Sequence, residues 1–219
     1  MPLRSCSRAR TTKATRIRAA DPPTEALELS CRQTLETWSA PDPEQDQLRR
    51  HYLDHLARRS DGWSRSCVGA HLTASSLICA ASEGIVLLTL HARLGRWLQT
   101  GGHIEATDPT LQAAATREAA EESGLAELSL DPSPLLLSKH EVPCGPVQPT
   151  YHLDVQYLVL VNRMVTPGVS VESSDVRWFA HDQLPEVDHS VLALVQAASV
   201  RVGSIMRPRA IAASNGGRP

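Results

Sequence analysis

The chain has 219 residues, 42% of them hydrophobic, and a formal net charge of −2 at pH 7. That length suits one domain with an extension, or two small ones, and supplies enough apolar material for a core. Near-neutral charge gives no overall field to draw nucleic acid, the five cysteines contain no C-x-x-C pair for zinc, and no apolar run reads as long enough to span a membrane.

Residues 1–22 form a basic tail with Arg4, Arg8, Arg10, Lys13, Arg16 and Arg18. It lacks the apolar stretch of a secretory signal and reads as disordered, with a nucleic-acid arm or a targeting segment as alternatives. Residues 23–62 read as a helical extension. Leu27, Cys31, Leu35 and Trp38 line up over residues 24–38, and Pro41 and Pro43 break the run. Asp42 then caps a second helix that carries Leu48, Tyr52, Leu53 and Leu56. The pair is expected to pack on the main domain or on a second subunit.

Residues 66–202 read as the main domain, and 203–219 as a second disordered tail. From Val68 to Ala80, Ala70, Leu72, Ala74, Ser76 and Ile78 alternate with His71, Thr73 and Ser75, as in a strand. Ile85–His91 is an apolar strand, followed by a turn to Arg96 and by Trp97–Leu98. Leu135–Val142 is a further strand, and Pro143–Pro149 a loop. In the strand Tyr151–Val161, one face carries Leu153, Val155, Tyr157, Val159 and Val161, and the other His152, Asp154 and Gln156. Asp175–Ala180 is a strand and Asp188–Val200 a closing helix. The cysteines (Cys6, Cys31, Cys67, Cys79, Cys144) are odd in number and widely spaced, which points to free thiols in a reducing cytoplasm.

Between these strands lies the stretch that carries chemistry. Pro109–Ser123 reads as a helix, with Asp108 as cap and Gly124 just past its end. Glu118, Glu121 and Glu122 stand at i, i+3 and i+4 and share a face near the helix C-terminus, where the dipole prefers cations. Two carboxylates about 5 Å apart repel by roughly 3 kcal/mol at an effective dielectric near 20. From Gly101 to Gly124 five acids (Glu105, Asp108, Glu118, Glu121, Glu122) face a single base, Arg117. A divalent cation would relieve that repulsion, and an all-oxygen cluster suits Mg²⁺ or Mn²⁺.

Gly102, Arg117, Glu118, Ala119, Glu121, Glu122, Gly124 and Leu125 resemble the Nudix box, Gly-x5-Glu-x7-Arg-Glu-φ-x-Glu-Glu-x-Gly-φ with φ apolar. Asp108 stands where the family has its first Glu, and eight residues instead of seven precede Arg117. The resemblance covers roughly Val68–Val200. It implies an α+β fold, a mixed β-sheet between helices (an α/β/α sandwich), here with an N-terminal helical extension. It also implies a small-molecule substrate, a nucleotide-derived diphosphate, cleaved by water attack on phosphorus with metal assistance. Glu118 and Glu122 are the expected metal ligands, with Glu121 a third ligand or the base, and a Gly101 or Gly102 carbonyl as a further ligand. Arg117 would hold a glutamate by a forked hydrogen bond, or form an ordinary i,i+4 pair with Glu121.

Glu105 either faces the metals or is a solvated loop residue. Glu172 and Asp175 are candidate bases outside the box. Arg93 and Arg96 are candidate phosphate contacts, and Trp97 reads as core. His103 joins Arg96, Gly101 and Glu105 as a candidate substrate contact. The His71/Thr73/Ser75 and His152/Asp154/Gln156 faces are expected to line one pocket. Neither membrane nor nucleic-acid partners are expected, and a homodimer is allowed. Two other activities stay open: a non-catalytic Nudix-fold sensor, favoured by the altered front of the box, and an isopentenyl-diphosphate isomerase, which would need a cysteine such as Cys67 or Cys79 as acid–base partner.

Overall fold

Alternating apolar and small polar residues along Ala70–Ala80 make a central strand that is buried on both faces from His71 onward, and the sheet is assembled around it. The structure is a computed structural model. It describes residues 22–206 apart from 144, 145, 163, 171 and 172. Residues 1–21 and 207–219 of the expected tails (1–22 and 203–219), with Cys6, Cys144 and Glu172, lie outside the described residues.

The elements run α1 (Pro22–Thr37), α2 (Pro43–Arg58), β1 (Ala70–Ala80), β2 (Ile85–His91), β3 (Arg96–Leu98), β4 (Thr100–His103), α3 (Leu111–Ser123), β5 (Ser129–Leu130), β6 (Leu136–Val142), β7 (Thr150–Val161), β8 (Ser173–Ala180) and α4 (His189–Met206). β1 pairs in parallel with β7 along its whole length, from Ala70↔Tyr151 to Ala80↔Val161. Its other edge pairs antiparallel with β4 and then with β2. β5 and β6 add to β7, and β3 and β8 to β2, which makes a mixed eight-stranded sheet.

Parity along β1 and β7 divides the core. Leu72, Ala74, Leu153, Val155 and Tyr157 pack under α1, α2 and α3. Leu77, Cys79 and Leu158 face the other way, onto Val191, Leu194, Val195 and Ala198 of α4. The sheet thus lies between helices, as the family resemblance implied. α4 is long and apolar enough to cross a membrane by length and composition, at mean hydropathy 1.2, which corrects the expectation that no such run exists. Its buried stripe instead packs on the sheet. It also runs to Met206, into the stretch expected to be a tail.

The helical extension packs on the main sheet, one of the two arrangements its apolar stripes allowed. Leu27, Cys31, Leu35, Trp38, Tyr52 and Leu56 are all buried in the same cluster as α3. Asp42 caps α2 by accepting from Gln45 N, as expected. The Trp38 indole donates to the Pro134 carbonyl at 2.7 Å. The Gln45 side chain pairs with the backbone of Leu137 in both directions: its amide donates to the carbonyl at 3.1 Å, and its oxygen accepts from the N–H at 2.7 Å.

If α1 is part of the cooperative core, Leu35→Ala should destabilise the whole chain by about 2–5 kcal/mol and keep a single unfolding transition in urea. An unchanged midpoint, or a separate early transition, would show that the pair unfolds on its own.

Candidate active site

β4 and α3 meet through two glycines. Gly101 and Gly102 lie opposite Ser75 and Ala74 of β1. A Cβ at Gly101 would come within 2.6 Å of Ser75 Cα, so only glycine lets the two strands approach this closely. A Cβ at Gly102 would lie 2.7 Å from the carboxylate carbon and both oxygens of Glu118. Gly101 N–H donates to Glu122 Oε2 at 3.1 Å. The carboxylates of Glu118 and Glu122, one helical turn apart, therefore stand against this bare stretch of backbone. Glu122 is buried and Glu118 half-buried, whereas Glu121 is exposed. α3 ends as its sequence dictates, with Gly124 left-handed at φ 68° and its N–H on the Ala120 carbonyl.

The start of α3 differs from expectation. The helix begins at Leu111, and Thr110 is its cap, accepting from Ala113 N at 3.1 Å. Asp108 is free of capping because its carboxylate is used elsewhere. It accepts from Glu105 N at 2.8 Å and receives the Arg117 fork, Nε to Oδ1 and Nη2 to Oδ2, at 3.0 Å each. The forked bond expected on a glutamate thus falls on Asp108. Arg117 Nη1 reaches Glu118 at 2.9 Å and Glu121 at 3.2 Å, and Nη2 also donates to the His103 carbonyl at 2.9 Å. All five guanidinium N–H donors are engaged. Hydrogen bonds to Asp108, first, and then to Glu118 raise its pKa above the ordinary arginine value.

The polar faces of β1 and β7 do come together: His71 lies opposite His152, Thr73 opposite Asp154 and Ser75 opposite Gln156. Asp154 is sealed by them. Its carboxylate accepts from Thr73 Oγ1 at 2.9 Å, Ser75 Oγ at 2.7 Å and Gln156 Nε2 at 3.1 Å. His103 joins this face beside His71 and His152. Burial, and next the charge of Arg65, lower the His103 pKa to about 4. Burial and the neighbouring His103, His71 and His140 lower that of His152 to about 3. Spacing along the chain hid this group, because its members come from three strands. The matching His71 and His152 faces were the available signal.

Arg96 pairs with Asp188, just before α4, at 3.0 Å. The Glu105 side chain is exposed and accepts from Thr107 Oγ1. Asp175, on β8, pairs with Arg177. Trp97, partly buried, packs edge-on against Phe179 at the margin of the cluster under α4. Burial pushes the Cys79 thiol up to about 12 and the Cys67 thiol to about 11, so neither is a ready acid–base group near neutral pH.

A family model described as NUDIX domain matches residues 69–196. The chain belongs to this family. Many solved structures share the NUDIX fold, among them these two. The first, a C. elegans Ap4A hydrolase binary complex, is 16% identical at TM-score 0.51, with 61% of this chain and 98% of that chain covered. The second, the NUDIX domain of Shewanella oneidensis NrtR complexed with ADP ribose, is 20% identical at TM-score 0.51, with 68% and 97% covered. No curated protein matches the sequence. Against the NUDIX box pattern, the longer loop before α3 carries Asp108 to the Arg117 guanidinium, so the altered front of the box still closes on its arginine.

A lysine at position 117 keeps the charge but offers three donors from one point. Arg117→Lys should therefore lower stability by about 2 kcal/mol and raise amide exchange in the β4–α3 loop. Unchanged melting and exchange would show that the fork contributes nothing.

Proposed function

We propose that the chain is a metal-dependent hydrolase that cleaves the diphosphate bond of a nucleoside diphosphate linked to another group. The observation that carries this reading is the pair of carboxylates, Glu118 and Glu122, set against the Gly101–Gly102 backbone. Three carboxylates (Asp108, Glu118, Glu121) share the Arg117 guanidinium, and the Glu122 carboxylate accepts from Gly101 N–H beside them. This hard-oxygen set fits Mg²⁺ or Mn²⁺.

In this reading Glu118 and Glu122 hold the cation, and the Gly102 carbonyl is a further oxygen within the same stretch. When bound, the metal supplies charge neutralisation at the diphosphate and acidifies a water ligand. Exposed Glu121 is either a third ligand or the proton acceptor. Arg117 is a positioning residue: it fixes Asp108, Glu118 and the His103 carbonyl so that β4 and α3 keep their separation. The substrate class rests on the family. The Ap4A hydrolase and the ADP ribose complex among the structural relatives support testing both compound types. The three described cysteines, Cys31, Cys67 and Cys79, are free thiols, which supports a cytoplasmic protein. We read residues 23–62 as an extension of one domain that begins near residue 66.

The test is a panel of nucleoside triphosphates, nucleotide sugars, ADP-ribose and dinucleoside polyphosphates incubated with Mg²⁺ and read by product mass. Glu122→Gln keeps an acceptor for Gly101 N–H and removes the charge. It should retain the wild-type melting temperature and lose more than about 100-fold in turnover, beyond the loss typical of residues that only support metal ligands. A variant with full activity would refute the assignment. Saturable binding without any product would favour the sensor reading.

A further inference from the structure

His71 of β1, His103 of β4 and His152 of β7 converge outside the glutamate cluster. Their ring centres are 5.0–5.2 Å apart, and one ring nitrogen from each lies within 4.8 Å of the others. We propose that these three side chains bind a transition-metal ion of the zinc or cobalt class, at a site separate from the oxygen-ligated cation of the box.

The tautomers point to a cation. His71 is 1% exposed, and its Nδ1 lies 3.3 Å from the Cys67 carbonyl. A carbonyl only accepts, so Nδ1 carries the proton and Nε2 presents a bare lone pair. That Nε2 has no hydrogen-bond partner, and neither has Nε2 of His152. For His71 this is the arrangement of a metal-binding imidazole, one nitrogen tied to a carbonyl and the other open. Burial keeps the rings neutral, so they do not form a cationic anion trap. Neutral imidazole is a ligand for zinc, cobalt, nickel and copper, and a poor match for magnesium.

A second observation is independent of the rings. Asp154 is buried, accepts three hydrogen bonds from neutral donors, and forms no ion pair among the described residues. It lies two positions along β7 from His152, on the same face, about 7 Å along the strand. A divalent ion among the histidines would give this buried carboxylate the countercharge that the protein does not supply. Access exists from the outside: a cavity of about 150 Å³ between the 65–68 segment and Val147 reaches His71.

Zinc–nitrogen bonds near 2.1 Å put tetrahedral donors roughly 3.4 Å apart, so the rings have to close by side-chain rotation. Three protein ligands leave one position open. An ion here would tie β4, β1 and β7 together. His103 would then serve both sites, through its ring here and through its carbonyl on Arg117.

The test uses the full chain, stripped with chelator and titrated with Co²⁺ in excess Mg²⁺. One equivalent should bind, with the visible ligand-field bands of low-coordinate cobalt. His71→Gln and His103→Gln should each weaken uptake at least tenfold, whereas Glu118→Gln/Glu122→Gln should retain it. If His71→Gln fails to fold by circular dichroism, the half-buried His103→Gln decides. No saturable uptake, uptake that survives the histidine substitutions, or uptake lost with the glutamates would each overturn the proposal.

Discussion

One guanidinium holds the box together. Arg117 neutralises part of a crowded set of acids and, through the His103 carbonyl, ties α3 to the end of β4. Without it, Asp108, Glu118 and Glu121 would repel at short range within a partly desolvated corner. Its planar fork sets direction as well as charge, and the sequence between β4 and α3 is shaped to meet it. Asp108 closes a turn back onto Glu105 N and offers both oxygens to the arginine. The longer loop of this chain is therefore a structured connection.

The sheet gives the box its rigidity. β1 is paired along both edges, with β7 on one side and β4 then β2 on the other. Its two faces do different work. Apolar residues toward α1, α2 and α3 seat α3 on a packed floor. On the opposite face α4 covers only the Leu77–Cys79 end, and the His71–Ser75 end carries polar residues. The histidine group and Asp154 occupy that polar half, next to the strand that carries the two glycines. Proximity of a nitrogen-lined group to an oxygen-lined one follows from the sheet register, because Thr73 and Ser75 lie opposite His103 and Gly101.

Much of this was legible in the chain. β2 was read with its observed limits, β7 to within one residue, and the caps at Asp42 and Gly124 are as read, because each rests on local chemistry. The apolar stripes of α1 and α2 named the residues that are buried. The cap of α3 was misread at Asp108, since a good capping residue is also a good arginine partner and only the fold decides between them. The Arg96–Asp188 pair was not legible, because its members lie far apart in the chain and only the fold brings them together. The two-residue strand β5 was too short to carry a period. The histidine group was half visible: the matched faces suggested a shared lining, but bringing His103 onto it required the pairing of β4 with β1.

The Gln45 side chain has a consequence for the behaviour of the molecule in a crowded solution. β6 pairs with β7 on one side only, and its other side offers ladder groups that a foreign strand could adopt. Gln45 answers both backbone groups of Leu137, acting as a one-residue imitation strand. The helical arm is in this sense a guard against aggregation, and a chain stripped of it would expose a sticky margin even if its chemistry were intact.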